Sequence, residues 1–150
     1  MNIMANFRTA ARQRGQAMAE MGLVVLLFVV LTLGIIDFGR MLMVLNVITH
    51  AARDGARIAA LTKFERWSGG ALTGAELAAV QSRVRQQMGT VMPQSEADAF
   101  SVTPFKAAGG AAGEEASVRV QGSVPFIFSF PGLWGGSITV DRTATYRFEG

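Results

Sequence analysis

The fold is decided by one stretch of the chain, residues 12–40, which read RQRGQAMAEMGLVVLLFVVLTLGIIDFGR. Its central part, Met21–Ile36, contains sixteen residues without a charge. As an α-helix this part would be about 24 Å long, close to the hydrocarbon thickness of a bilayer, about 30 Å. Extending it back to Gln16 includes one carboxylate, Glu20. The stretch predicts a helix that inserts into a membrane over about residues 17–37.

Two other interpretations of the apolar segment are weaker. A buried core helix would need more surrounding protein than a chain of 150 residues readily provides. A cleaved secretory signal would need a small-x-small cleavage site after the segment, and the sequence Asp37-Phe38-Gly39-Arg40 offers none. A membrane-inserted helix is therefore the preferred interpretation.

The distribution of charge orients the chain and excludes one class of partner. Arg8, Arg12 and Arg14 precede the first acidic residue and account for the formal net charge of +3, because the other basic and acidic residues balance. Basic residues beside a membrane segment favour the cytoplasmic side. We therefore expect a cytoplasmic N-terminus, a periplasmic C-terminal domain and no nucleic-acid partner.

A short motif precedes the apolar segment. Gly15 follows the run Arg12–Arg14, and Glu20 lies five residues after Gly15. This order resembles the leader of type IV prepilins, which a prepilin peptidase cuts after the glycine. The resemblance implies cleavage between Gly15 and Gln16, so that residues 1–15 form the leader and Glu20 becomes the fifth residue of the mature chain.

Glu20 has two interpretations. The prepilin resemblance implies that its carboxylate meets the new N-terminal amine of a neighbouring subunit, which would neutralise both charges in apolar surroundings and set the register of assembly. From the residues alone, Glu20 could instead lie near the cytoplasmic interface and reach the water of the headgroups. A charged carboxylate inside the apolar segment would cost roughly 2–3 kcal/mol, so the position needs one of these explanations.

Residues after the apolar segment extend the resemblance to one family. They are Gly34–Arg40 (GIIDFGR), Asn46 and Ala51–Arg57 (AARDGAR). With the leader motif they are similar to the TadE-like family of the tight-adherence pilus system, over about residues 12–60. Met21 is a departure, because an aromatic residue often follows the glutamate in that family. The resemblance implies a pilin-like fold and partners in pilus assembly.

The rest of the long helix is predicted from the absence of proline between residues 16 and 62. Asp37 and Arg40, three residues apart, are predicted to pair at the membrane boundary. Beyond them, apolar and small residues recur at helical spacing from Leu42 to Ala59 and predict a face that docks on the chain's own domain. Packing between subunits on the same face is the functional alternative.

Residues 63–150 predict a small α+β domain. An amphipathic helix is expected from Thr73, with a capping-box pattern to Glu76, and is expected to end before Pro93. Three segments with a period of two then predict the strands of an antiparallel sheet: Phe100–Pro104, Val118–Val124 and Ile138–Tyr146.

Three segments are predicted to be connections. Phe64–Gly74 and Ala107–Glu115 are rich in glycine, which is typical of loops. Phe126–Gly136 is strongly apolar. For this last segment, packing under the sheet, contact with the membrane surface and contact with a partner all remain open, and packing in the core is preferred.

Catalysis and metal binding find no support in the residues. The chain has no cysteine and a single histidine, His50, without an accompanying nucleophile. Neither of the paired glycines is followed by the residues of a phosphate-binding loop. We therefore expect no enzyme activity, no metal and no cofactor.

The leading hypothesis is a minor pilin or pseudopilin that a prepilin peptidase processes. Its expected partners are other pilin-like subunits, pilus assembly proteins and the lipid bilayer. It would reside in the bacterial inner membrane and reach a surface pilus after assembly. The alternatives are a major filament subunit and a permanently anchored periplasmic adaptor of a secretion or pilus machine that does not polymerise.

Overall fold

The computed structural model describes residues 3–62, 67–68, 70–107, 115–128 and 135–147. The chain divides into two units, Met1–Phe38 and Gly39–Gly150. The elements follow in the order α1 (Ile3–Leu61), β1 (Trp67–Ser68), β2 (Ala71–Leu72), α2 (Gly74–Met88), α3 (Gln94–Asp98), β3 (Ser101–Ala107), β4 (Glu115–Pro125) and β5 (Ser137–Arg147). This is the predicted α+β class: a long apolar helix, a second helix and a small antiparallel sheet.

Helix α1 is one continuous helix of 59 residues. The expected long helix is present, and it also extends back to Ile3, through the segment that the sequence predicts to be a leader. In the first unit its large apolar side chains are exposed, with Met18 at 77% and Phe28 at 67%. Within Gly15–Leu61 the helix is long and apolar enough to cross a membrane. A helix that is apolar all around and not covered by protein fits a membrane span.

The second unit includes the C-terminal part of α1, from Gly39 to Leu61. This part supplies a buried face of medium and small side chains at spacings of three and four. This face consists of Met41, Val44, Ile48, Ala51, Ala52, Gly55, Ala56 and Ala59. At Gly55 an added Cβ would lie 2.7 Å from Cγ2 of Val84 on α2 and 3.5 Å from Cγ1 of Val118 on β4. The small residues therefore let α1 approach its own domain closely, as the sequence predicted. Leu42, which was assigned to this face, is exposed, and Met41 and Val44 are buried in its place.

The sheet has five antiparallel strands in the order β1-β2-β3-β4-β5. The strands predicted around Val102, Val120 and Val140 are present as β3, β4 and β5. On β4, alternate residues are buried on the side of the sheet that faces α1, and they include Val118 and Val120. These two pair with Ala144 and Arg142 of β5, the last strand of the sheet.

The loop prediction for Phe64–Gly74 is wrong in part, because Trp67–Ser68 and Ala71–Leu72 pair as short strands. Both Trp67 and Leu72 are buried. Gly70 has φ +85°, a left-handed conformation that glycine adopts without strain. Strands of two residues are too short to show a period in the sequence, which is why the pattern missed them.

The second helix is shorter than predicted. It ends at Met88, where Gly89 forms the C-cap, and the separate helix α3 begins after Pro93. Thr73 is the N-cap as expected, but its side chain makes no capping hydrogen bond, so that part of the capping-box prediction is wrong.

The two later connections are described only in part. Residues 108–114 of the glycine-rich segment and residues 129–134 of the apolar segment lie outside the described residues. At the start of the apolar segment, Phe126 packs against the core and its N–H donates to the carbonyl of Gly136, with an N–O distance of 3.1 Å. Ile127 is exposed. The preferred core placement is therefore confirmed for Phe126 and not for Ile127.

Candidate assembly site on the long helix

Gly15, Gln16 and Glu20 all lie on α1, and all three are exposed. Gln16 and Glu20 share a face because residues four apart on a helix are neighbours, about 6 Å apart along the axis. The Gly15–Gln16 bond lies inside the helix, so an extended backbone at this bond requires local opening. Gly15 lowers the cost of opening by about 1 kcal/mol relative to alanine.

The surroundings of Glu20 are apolar. Its neighbours one turn away on α1 are Gln16, Ala17, Leu23 and Val24, none of which is charged. Leu23 and Val24 are themselves exposed. Among the residues that the structure describes, none forms a hydrogen bond or ion pair with the Glu20 carboxylate. The site thus presents a single acid on an apolar helix surface.

Asp37 and Arg40 fall in different units. Asp37 is buried, with 2% of its surface exposed. Arg40 donates from Nη1 to the carbonyl oxygen of Pro125 at 3.1 Å, and its Nη2 lies 3.8 Å from Oε2 of Glu96. The pairing of Asp37 with Arg40 stays a prediction. The two contacts of Arg40 were missed because they join residues far apart in sequence.

Polar contacts on the second unit tie its elements together. Asp54 of α1 accepts a hydrogen bond from Gln87 of α2. On the outer face of the sheet, the Arg119 Nε donates to Oδ1 of Asp141 at 3.0 Å, and Gln121 donates to Oδ2 of the same carboxylate at 3.0 Å. The hydrogen bond from Arg119 holds the pKa of the Asp141 carboxyl below its ordinary value, with a smaller contribution from Gln121.

Metal ligands are not gathered in the described part of the chain: it contains no group of three or more histidine, aspartate or glutamate side chains that could hold an ion. His50, the only histidine, is exposed on α1.

Together these features define a class: a protein with a small α+β domain and, among its described residues, one apolar helix that fits a membrane span. Residues 15–57 match the family model for TadE-like protein. The matched segment contains every candidate site residue predicted from the sequence: Gly15, Gln16, Glu20, Asp37 and Arg40.

The match confirms the resemblance to the TadE-like family over this segment. This pilus-associated family is not an enzyme family. Comparison with curated proteins found no match, and neither did comparison with solved structures.

Proposed function

We propose that the protein is a minor pilin or pseudopilin of a tight-adherence pilus, cleaved after Gly15 by a prepilin peptidase. One observation supports this most strongly. The family match begins at Gly15 and continues along α1, over the residues where the helix leaves its large apolar side chains exposed. Such a surface needs lipid before assembly and the apolar helices of other subunits afterwards.

The proposed topology follows from the position of the basic residues. The leader, residues 1–15, lies in the cytoplasm, the segment of about residues 17–37 spans the inner membrane, and residues 63–150 lie in the periplasm. Cleavage on the cytoplasmic side would remove Arg8, Arg12 and Arg14, and with them the formal net charge of +3.

Glu20 supplies the register of assembly in this proposal. Cleavage would create an amine at Gln16, one turn from Glu20 on the same face of α1. In a helical bundle, the amine of one subunit lies against the carboxylate of the next. Pairing offsets the cost of holding either charge in apolar surroundings, and a displaced subunit loses that pairing.

The experiment compares two glycines of α1. An added Cβ at Gly15 or at Gly22 meets nothing within 4 Å, so neither alanine disturbs the packing. We expect Gly15→Ala to block cleavage, because the methyl group obstructs the close approach of a protease to the backbone. Gly22→Ala, the matched control, leaves cleavage intact.

The readout is the mass and the N-terminal sequence of protein made in cells that contain the peptidase. The expected wild-type chain begins at Gln16 and the expected Gly15→Ala chain retains its leader. A wild-type chain that begins at Met1 contradicts the proposed processing. Equal cleavage of the wild type and Gly15→Ala contradicts the assignment of the cleaved bond.

A further inference from the structure

Strand β5 is the long edge strand of the sheet. Its eleven residues, Ser137–Arg147, pair along their whole length with β4. Its other edge pairs with no strand in the described parts of the chain. The N–H and C=O groups on such an edge form a template for a further strand, and proteins usually shorten, cover or charge an edge of this length.

A groove runs beside this edge. It has a volume of about 250 Å³ and is lined by Thr49, Ala52 and Arg53 of α1 and by Arg142–Thr145 of β5. Four consecutive residues of β5 contribute, and neighbouring residues of a strand point to opposite faces of the sheet. The groove therefore borders the edge of β5 and not only one of its faces.

The groove is cationic. Arg53 and Arg142 line it from its two sides, and both are exposed. The acids next to them in sequence are hydrogen-bonded to other residues: Asp54 to Gln87, and Asp141 to Arg119 and Gln121. The charge of Arg142 also helps to lower the pKa of Asp141, but as one of the smallest contributions. Among the described residues, the lining thus contains two arginines and no acid.

The helix-facing positions of β5 define what a neighbouring strand would meet. These positions are Ile138, Val140, Arg142, Ala144 and Tyr146, by their pairing with the buried face of β4. Val140 is buried, whereas Ile138 and Tyr146 are 38% and 40% exposed. An exposed cation therefore lies midway between two partly exposed apolar side chains, four residues from each.

We propose that the edge of β5 that faces no described strand, around Ile138–Tyr146, binds an extended segment of a partner protein by strand addition, with an acidic side chain of that segment opposite Arg142. Main-chain hydrogen bonds would supply affinity, and the alternating side chains would supply specificity. Apolar residues four positions before and after the acid would cover Ile138 and Tyr146. Arg53 would contribute a second cation from α1.

A second copy of β5 does not fit this requirement. When two copies of β5 pair antiparallel, the helix-facing residues of both strands lie on one side of the sheet. None of the helix-facing residues of β5 is acidic. No register of an antiparallel pair therefore places a carboxylate opposite Arg142. In a parallel pair the second copy is turned over, and the one acid of β5, Asp141, is already bound by Arg119 and Gln121. The acid opposite Arg142 is therefore expected from a different segment.

The test uses the full, uncleaved chain in detergent micelles, so that its result is independent of the proposed processing. The probe is a fluorescent synthetic peptide that alternates valine and threonine, with a glutamate in place of the central valine. Because this pattern reads the same in both directions, it serves for parallel and antiparallel addition. A second peptide carries lysine at the centre, and a third carries prolines that remove N–H donors.

We expect the glutamate peptide to bind and the proline peptide not to bind. Arg142→Glu should weaken binding of the glutamate peptide about fivefold, because a cross-strand attraction becomes a repulsion, and should favour the lysine peptide instead. The matched control is Arg83→Glu, which makes the same charge change on the exposed part of α2, outside the groove. Arg83→Glu should change the affinity for neither the glutamate peptide nor the lysine peptide.

Three results would overturn the proposal. The first is an Arg142→Glu chain, folded by circular dichroism, that binds both peptides as the wild type does. The second is undiminished binding of the proline peptide, which rules out strand addition. The third is a dimer in sedimentation that the glutamate peptide dissociates, since a second copy would then occupy the edge.

Discussion

Replacing Gly55 by alanine tests how closely α1 packs on its own domain. The new methyl group would lie 2.7 Å from Cγ2 of Val84, and it would also contact Val118 at 3.5 Å. Val84 is fully buried, and its branched side chain has few alternative rotamers. The methyl group therefore cannot be accommodated by rotating a flexible side chain, and α1 or α2 has to shift.

Two effects of opposite sign set the magnitude. Alanine in place of glycine stabilises a helix interior by about 1 kcal/mol. Overpacking a filled core costs about 1–3 kcal/mol. We therefore expect Gly55→Ala to lower the free energy of unfolding of the second unit by about 0–2 kcal/mol, the sum of these two terms.

Gly39→Ala is the matched control, because Gly39 lies on the same helix and an added Cβ there meets nothing within 4 Å. It keeps the helix-propensity gain without the steric cost. The difference between the two variants should be about 1–3 kcal/mol, which is the steric term alone. Pairing Gly55→Ala with Val84→Ala, which removes the obstructing methyl group, should recover part of that cost.

The assay is urea unfolding of the full chain in detergent micelles, followed by tryptophan fluorescence, since Trp67 is buried in the second unit. A Gly55→Ala chain that gains as much stability as Gly39→Ala would refute the close packing of α1 on α2. So would a double variant whose loss equals the sum of the two single losses.

Three further predictions concern the core, the assembly site and the sheet surface. Gly122→Ala places a methyl group about 2.5 Å from the buried Phe100 ring and should destabilise by about 1–3 kcal/mol in the same urea assay; a gain in stability would contradict this. Glu20→Ala should insert and be cleaved normally but be depleted from sheared filaments, and undiminished incorporation would remove the proposed role of Glu20. Because the pKa of Asp141 is lowered, its contribution to stability is full above the unfolded pKa of about 3.9 and is lost as the pH falls through the folded value. Arg119→Met should flatten that part of the pH–stability profile, and an unchanged profile would exclude the Arg119–Asp141 contact as its source.

The sequence predicted the elements whose patterns are long enough to read. Helix α1 was predictable because no proline interrupts its apolar and small residues, and the three main strands because they alternate over several residues. The end of α2 was not predictable, since Gly89 acts as a cap only in the context of the following turn. The short strands β1 and β2 depend on pairing with residues distant in sequence.

The residues of the candidate site likewise include some that the sequence could predict and some that it could not. Gly15 and Glu20 could be identified from the sequence because the motif depends only on their spacing along the chain and on the apolar segment that follows. The contacts of Arg40 with Pro125 and Glu96 depend on tertiary packing and leave no local pattern. Arg142 does have a signal in the sequence, because it is a cation at a position where the alternation of β5 predicts an apolar residue. Such a residue points either to a buried partner or to a surface that is covered in an assembly.

The continuity of α1 through residue 15 has a kinetic consequence. Under the proposed processing, a protease that needs an extended backbone would act only on the fraction of molecules whose helix is open at that bond. The cleavage rate would then be the product of an opening equilibrium and a chemical rate. Stabilising the helix around the bond by about 1.4 kcal/mol would then slow maturation about tenfold with the recognition motif intact. The supply of mature subunits would be governed by the propensity of the leader to unwind as well as by its recognition.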